Sequence, residues 1–159
     1  GAPLPHRETG EIHVRGYAVM REYLDDAAGT AEAIDADGWL HTGDVGHMDK
    51  GGYVRITDRM KDMYISGGFN CYPAEVEKLL SEHPDIGMAA VIGFPDARMG
   101  EVGKAVIGPR PGANPTPDSI IAWAREAMAN YKVPRLVEIV DALPLNAAGK
   151  VLKTELRGG

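Results

Sequence analysis

The chain has 159 residues, enough for one domain of ordinary size or for a small domain with part of another attached. Its composition, 44% hydrophobic and 25% charged residues, is typical of soluble globular proteins and excludes a disordered or collagen-like chain. No stretch approaches the roughly 20 apolar residues of a membrane helix, and the first residues lack a signal-peptide pattern. A single cysteine, Cys71, excludes an internal disulfide. We therefore expect a cytoplasmic protein with a packed core and no membrane span.

The net charge of −6 is distributed unevenly along the chain. Residues 1–58 carry all of this excess negative charge, and the remainder of the chain is neutral overall. Neither part offers the broad positive field that binds a phosphate backbone, so we expect no nucleic-acid partner.

The first 58 residues predict short strands separated by turns, with one modest helix near Met20 to Leu24. The strand segments are GEIHVRGY, DGWLHTGDVGHM and DKGGYVRIT. A run of this size is only marginally stable by itself. We interpret it as the β-rich edge of a larger domain.

A more regular pattern, β-α-β-β-α-β, follows after residue 58. A strand, MYIS, and a glycine-containing loop, GGFNCY, lead to a helix that starts at Pro73, where a missing N–H is tolerated. Two strands, GMAAVIGF and EVGKAVIG, precede a second helix capped by Thr116. The strand RLVEIV and a loop into a short terminal helix complete the chain. This order predicts a small α+β domain with helices on one or both faces of a short sheet.

Several common sites are excluded by residue spacing. Gly149 and Lys150 do not form a P-loop, because Pro144 and Val151 stand where that loop needs glycine and serine or threonine. The five histidines show neither an HExxH pattern nor paired cysteines, so no metal site is predicted. His83, on the apolar face of the first predicted helix of this region, is expected to be packed rather than reactive.

Three segments carry the most specific signal: HTGD at 41–44, TDRMKDMYISGGFNCYPAEVE at 57–77 and LPLNAAGKVLK at 143–153. With GEIHVRG upstream and YKVP at 131–134, their order resembles the adenylate-forming superfamily, which includes acyl-CoA synthetases, peptide-synthetase adenylation domains and luciferases. The form HTGD favours the acyl-CoA synthetases. The resemblance implies that residues 1–58 are the tail end of a large amino-terminal domain. It also implies that residues 59–159 form a mobile carboxyl-terminal lid.

The resemblance further implies a reaction in which a carboxylate and ATP give an acyl-AMP, from which the acyl group passes to the thiol of CoA. It assigns roles as follows: Lys150 as the catalytic cation, Asp44 and Arg59 as ribose-binding residues, Lys61 as the hinge, and Gly67 and Gly68 as a loop lining the thiol tunnel. Asn146 departs from the family pattern, which often has threonine there.

The resemblance also implies partners and alternatives. ATP, CoA and a small carboxylic acid are the implied ligands, and Mg²⁺ would be held mainly by the amino-terminal domain of the same protein. The phosphate loop of that domain is not in this chain, so we expect the chain alone to be inactive. Two alternatives stay open: an adenylation domain that loads a carrier protein, and a free-standing lid module without catalysis.

Overall fold

The computed structural model describes residues 2–157 and divides into two compact units, one ending at Lys61 and one beginning at Asp62. The boundary drawn from the sequence, after Asp58, falls inside a strand that continues to Arg59. A single 3-10 turn, Met60–Asp62, follows that strand. None of the described helices is long and apolar enough to cross a membrane.

The first unit is built on a three-stranded antiparallel sheet in the order β1-β2-β3. Its strands are β1 (Gly10–Val14), β2 (Leu40–Met48) and β3 (Val54–Arg59). The first two lie within the segments that the sequence predicted as strands, and β3 extends two residues beyond its predicted segment, which ended at Thr57. Their alternating polar and apolar residues explain the agreement, because side chains along a strand point alternately to opposite faces.

The helix predicted near Met20 to Leu24 is wrong, because the helix of this unit, α1, runs over Ala27–Ala33. Asp26 caps it by accepting a hydrogen bond from the Gly29 N–H at 2.8 Å. Asp25 lies in the left-handed region, with φ of 54°, and separates the predicted segment from the helix. Alanine has the highest helix propensity, so the alanines of α1 compensate for the low helix propensity of its glycine.

The second unit has a five-stranded sheet in which β5, β4, β7 and β6 are neighbours in that order and β8 pairs in parallel with β7. Its elements are β4 (Tyr64–Ser66), β5 (Phe69–Cys71), α2 (Pro73–Leu80), β6 (Ile86–Asp96), β7 (Gly100–Pro109), α3 (Pro117–Ala127), β8 (Leu136–Ile139) and α4 (Lys153–Arg157). The predicted α+β class is confirmed. The loop predicted over GGFNCY is wrong in part, because Phe69–Cys71 within it form β5.

The two longer helices begin where local signals predicted. Pro73 occupies the first turn of α2. Thr116 caps α3 by accepting from the Ser119 N–H at 3.1 Å, and the Ser119 hydroxyl accepts in turn from the Thr116 N–H. Such a reciprocal box satisfies backbone donors that lack partners inside the helix.

Buried apolar side chains pack on both faces of the sheet of the second unit. On one face, strand residues such as Val91 and Ile107 pack with buried residues of α2 and α3, including Leu80 and Ile120. On the other face, buried residues pack with the carboxyl-terminal segment: Ala90, Val106 and Leu143, with Val140, Val151 and Leu156 against them. The carboxyl-terminal loop and α4 are therefore fixed to the sheet by apolar contacts.

Candidate active-site residues

Asp44 and Arg59 form an ion pair on the sheet of the first unit. They are direct cross-strand partners in the β2–β3 register. The Arg59 Nε donates to Asp44 Oδ1 at 3.0 Å, and both side chains are partly exposed. The second carboxylate oxygen of Asp44 has no hydrogen-bond partner among residues 2–157, so it can accept from a further donor.

The backbone that carries Asp44 is held by two side chains from within the unit. The Thr42 hydroxyl donates to the Ile12 carbonyl at 2.7 Å and accepts from the Asp44 N–H at 3.1 Å. The carboxylate of Glu11 accepts from the Gly43 N–H at 3.1 Å. Gly43 has φ of 69°, a left-handed conformation that glycine adopts without strain. HTGD is therefore a fixed irregularity within β2 that presents a carboxylate.

Glu11 also lies against two histidines that the sequence argument left without a role. His13 and His41 are direct partners in the β1–β2 register, and their ring centroids are 4.0 Å apart. Burial by itself raises the pKa of Glu11, but hydrogen bonds from His13 and Gly43 outweigh it and hold this pKa below its usual value. No sequence motif joins these residues, because the strand register alone brings them together.

Lys61 is exposed and lies in the middle of the 3-10 turn at which the two units divide. Asp62, the next residue, accepts from an Arg157 guanidinium nitrogen at 3.1 Å. This ion pair ties the start of the second unit to α4.

Gly67 and Gly68 form the two-residue connection of the β4–β5 hairpin. Their φ values of 58° and 86° place both in the left-handed region, which a type I′ turn requires. The Gly67 N–H donates to the Met99 carbonyl at 2.9 Å, and a Cβ on Gly67 would lie 2.5 Å from the Met99 methyl carbon. The turn is exposed at the sheet edge, beside Phe69.

Lys150 lies at the end of an exposed turn that Asn146 closes. The Asn146 side-chain oxygen accepts from the N–H groups of Ala148 and Lys150 at 3.0 and 2.9 Å. The backbone N–H of Asn146 donates to the Lys150 carbonyl at 2.9 Å. Asparagine in place of the family's frequent threonine thus has a structural role. Within residues 2–157 the Lys150 ammonium makes no hydrogen bond or ion pair, so its charge can meet an incoming anion.

Glu77 anchors the segment that follows Lys150. Its carboxylate accepts from the Val91 N–H at 2.8 Å and pairs with the Lys153 ammonium at 2.7 Å. Lys153 is the first residue of α4. Sequence reasoning did not single out Glu77, although it lies within the longest motif.

The structure brings only some of the sequence-assigned residues together. Asp44 and Arg59 are in direct contact within the first unit. The Gly67–Gly68 turn and Lys150 lie on separate turns of the second unit. His83, predicted to be packed, is 7% exposed and lies edge-on to Trp123 at 5.3 Å between ring centroids.

Residues 75–150 match the family model described as the AMP-binding enzyme C-terminal domain. Most of the second unit is thus similar to this family. The match begins in α2 and ends at Lys150, so it includes the turn that Asn146 closes. The resemblance to adenylate-forming enzymes, drawn from the three motifs, is confirmed.

Similarity to known proteins extends over nearly the whole chain. It is 59% identical over 150 residues to the 3-[(3aS,4S,7aS)-7a-methyl-1,5-dioxo-octahydro-1H-inden-4-yl]propanoyl:CoA ligase of Rhodococcus jostii, covering 94% of this chain and 29% of that protein. It is 50% identical over 157 residues to a feruloyl-CoA synthase of Amycolatopsis, covering 99% and 32%. The ATP-bound crystal structure of MatB from Rhodopseudomonas palustris superposes with a TM-score of 0.91 at 38% identity, covering 97% and 31%. The chain thus spans about 30% of the length of its relatives.

Proposed function

We propose that this chain is the carboxyl-terminal part of an ATP-dependent acyl-CoA ligase, a cytoplasmic enzyme that works with a large amino-terminal domain of the same protein. The observation that carries the proposal is the exposed ammonium of Lys150, which has no ion-pair partner among residues 2–157, on a turn that Asn146 holds in shape. The free thiol of Cys71 agrees with a reducing compartment.

In the first half-reaction, a carboxylate oxygen attacks the α-phosphorus of ATP, and the bond from that phosphorus to pyrophosphate breaks. Two anions must approach each other. The Lys150 ammonium would bridge the carboxylate and the α-phosphate oxygens, which lowers their repulsion and stabilises the charge of the transition state.

Asp44 and Arg59 would hold the ribose of the nucleotide. The second carboxylate oxygen of Asp44 can accept from a ribose hydroxyl, and the planar guanidinium of Arg59 can donate to the same sugar. Their ion pair orients both groups before the nucleotide arrives. We assign no Mg²⁺ ligand to residues 2–157, and Mg²⁺ would be held mainly by the amino-terminal domain.

In the second half-reaction, the thiolate of CoA attacks the acyl carbonyl carbon, and AMP leaves. We propose that the second unit turns about Lys61 between the two steps, since that residue lies where the units divide. The Gly67–Gly68 turn would then line the path of the thiol, because a turn without side chains lets a ligand approach the backbone closely.

The decisive experiment measures the two half-reactions separately in the whole enzyme with Lys150→Ala. Adenylation should fall roughly 10²- to 10³-fold, as for other oriented charges in a transition state, while transfer from a pre-made acyl-AMP stays near the wild-type rate. Lys78→Ala, an exposed lysine on α2, is the matched control and should leave both steps unchanged. Equal loss in both half-reactions would show that Lys150 is structural.

Two further measurements separate the alternatives. The 159-residue chain alone should release no pyrophosphate from ATP with any carboxylate, and release would refute the need for a second domain. A thiol-acceptor assay on the whole enzyme, with CoA and with a carrier protein, should give product with CoA. Product with the carrier protein only would instead favour an adenylation domain.

A further inference from the structure

The face of the first unit formed by β1 and β2 carries a cluster of metal-binding side chains that the proposed reaction does not use. Glu11, His13 and His41 each offer one ligand atom, and these three atoms lie within 4.8 Å of one another. From this geometry we propose that the cluster is a binding site for one divalent transition-metal ion of the zinc type. The proposal is independent of the ligase activity.

The distances fit the coordination shell of such an ion. The Glu11 carboxylate oxygen Oε2 is 2.9 Å from His13 Nε2 and 3.5 Å from His41 Nδ1. Four ligands at about 2.1 Å in a tetrahedron lie about 3.4 Å from one another. Small side-chain rotations can therefore direct all three atoms at one ion, and a fourth position stays open for water.

The strands fix the ligands before an ion arrives. His13 and His41 stand directly opposite each other in the β1–β2 register. The other Glu11 oxygen accepts from the Gly43 N–H, which restrains the rotation of this carboxylate. Prior fixation lowers the entropic cost of bringing three side chains around an ion.

A second carboxylate lies where metal-bound histidines usually have one. Asp35 Oδ2 is 3.7 Å from His41 Nε2, the ring nitrogen that would not face the ion. Asp35 Oδ1 accepts from the N–H groups of Asp37 and Trp39, which holds the side chain in place. A carboxylate behind a ligating histidine sets its tautomer and raises its basicity.

The charges and ligand types favour a zinc-type ion over Mg²⁺ or Ca²⁺. Two imidazoles with a carboxylate suit zinc, cobalt, nickel or copper, whereas the harder ions need oxygen ligands. Arg15, the residue that follows β1, lies with its guanidinium carbon 4.6 Å from the centre of the Trp39 ring. The positive charge of Arg15 therefore lies against an aromatic ring.

The test is a Co²⁺ titration of the whole polypeptide that contains this chain, untagged and freed of metal, followed by visible d–d absorption. Wild type should bind one ion at this site, seen as the difference from His13→Gln. His13→Gln and His41→Gln should each weaken binding by at least about tenfold, while His47→Gln, on β2 and outside the cluster, should titrate as wild type.

Asp35→Asn keeps the Oδ1 acceptor and replaces only Oδ2, so it preserves the turn if a histidine variant fails to fold. It should weaken Co²⁺ binding by about tenfold with an unchanged circular dichroism spectrum. The proposal is overturned if wild type and both histidine variants titrate alike, or if His47→Gln loses binding equally. A thiolate charge-transfer band would also overturn it, because that band would place the ion at cysteine.

Discussion

The two units of this chain differ in how they bury apolar side chains. In the second unit, both faces of the sheet are covered, and Ile107 at its centre is 0% exposed. In the first unit, Val45 is the one buried hydrophobic residue among those described. On its β3 side, Tyr53 and Ile56 remain 74% and 64% exposed.

From this contrast we propose that the second unit is a complete domain and that the first unit needs a further protein segment to complete its core. Contiguous exposed apolar side chains mark surfaces that other protein segments cover. The residues proposed to bind the nucleotide, Asp44 and Arg59, lie in the unit with the incomplete core. The cation that we propose to act in catalysis, Lys150, lies on the complete one.

The largest expected effect comes from separating the units. Residues 62–159 expressed alone should unfold cooperatively, because their core is self-contained, whereas residues 1–61 alone should show no cooperative transition. The two tryptophans report on the units separately, since Trp39 lies in the first and Trp123 in the second. Urea titrations followed by fluorescence measure both.

Hydrogen exchange gives an independent check on that separation. Slow amides should be found in β6 and β7 of the isolated second unit. Fast exchange throughout residues 62–159, or a cooperative transition in residues 1–61, would contradict the contrast between the units.

A large-to-small substitution in the covered core should be the next largest effect. Ile107→Ala in the isolated second unit should lower the free energy of unfolding by about 2–5 kcal/mol, since it leaves a cavity. Ile65→Thr, at a side chain 48% exposed in the same sheet, should change it by about 0.5 kcal/mol or less. Equal losses would mean that the second unit is less tightly packed than its burial indicates.

A third prediction concerns the junction between the units. Proline fixes φ near about −65° and removes an N–H, so Lys61→Pro in the whole enzyme should trap one orientation of the second unit. Adenylation should survive and thioester formation should fall, while Lys61→Ala should be mild. Rapid-quench assays of each half-reaction measure this, and wild-type rates for Lys61→Pro would show that residue 61 is not the pivot.

The smallest expected effect is a difference in thiol reactivity. Burial raises the pKa of Cys71, so at any pH below that value less thiolate is present than for a free cysteine, and alkylation is slower. Val54→Cys, on the exposed strand of the first unit, should react with iodoacetamide at the rate of a free thiol. Mass spectrometry on this variant compares both sites in one sample, and equal rates would show that the Cys71 site opens readily.

Local signals in the sequence predicted a large part of the fold. The starts of α2 and α3 followed from Pro73 and from the Thr116 cap, because capping depends on neighbours within a single turn. The sequence missed β5, whose pairing across the Gly67–Gly68 turn makes a strand of a segment that looked like a loop. It also misplaced the first helix. That helix, α1, begins only after Asp25, whose backbone lies in the left-handed region.

The features of the candidate site also divide into those that the sequence determined and those that the tertiary structure decided. The sequence by itself determined the family, the α+β class and the residue types at each motif position, because motif order is a property of the chain alone. Only the tertiary structure decided that Asp44 contacts Arg59, that Glu77 holds Lys153, and that His13 faces His41. These contacts join residues distant in sequence, and strand register and packing, rather than local propensity, set which side chains meet.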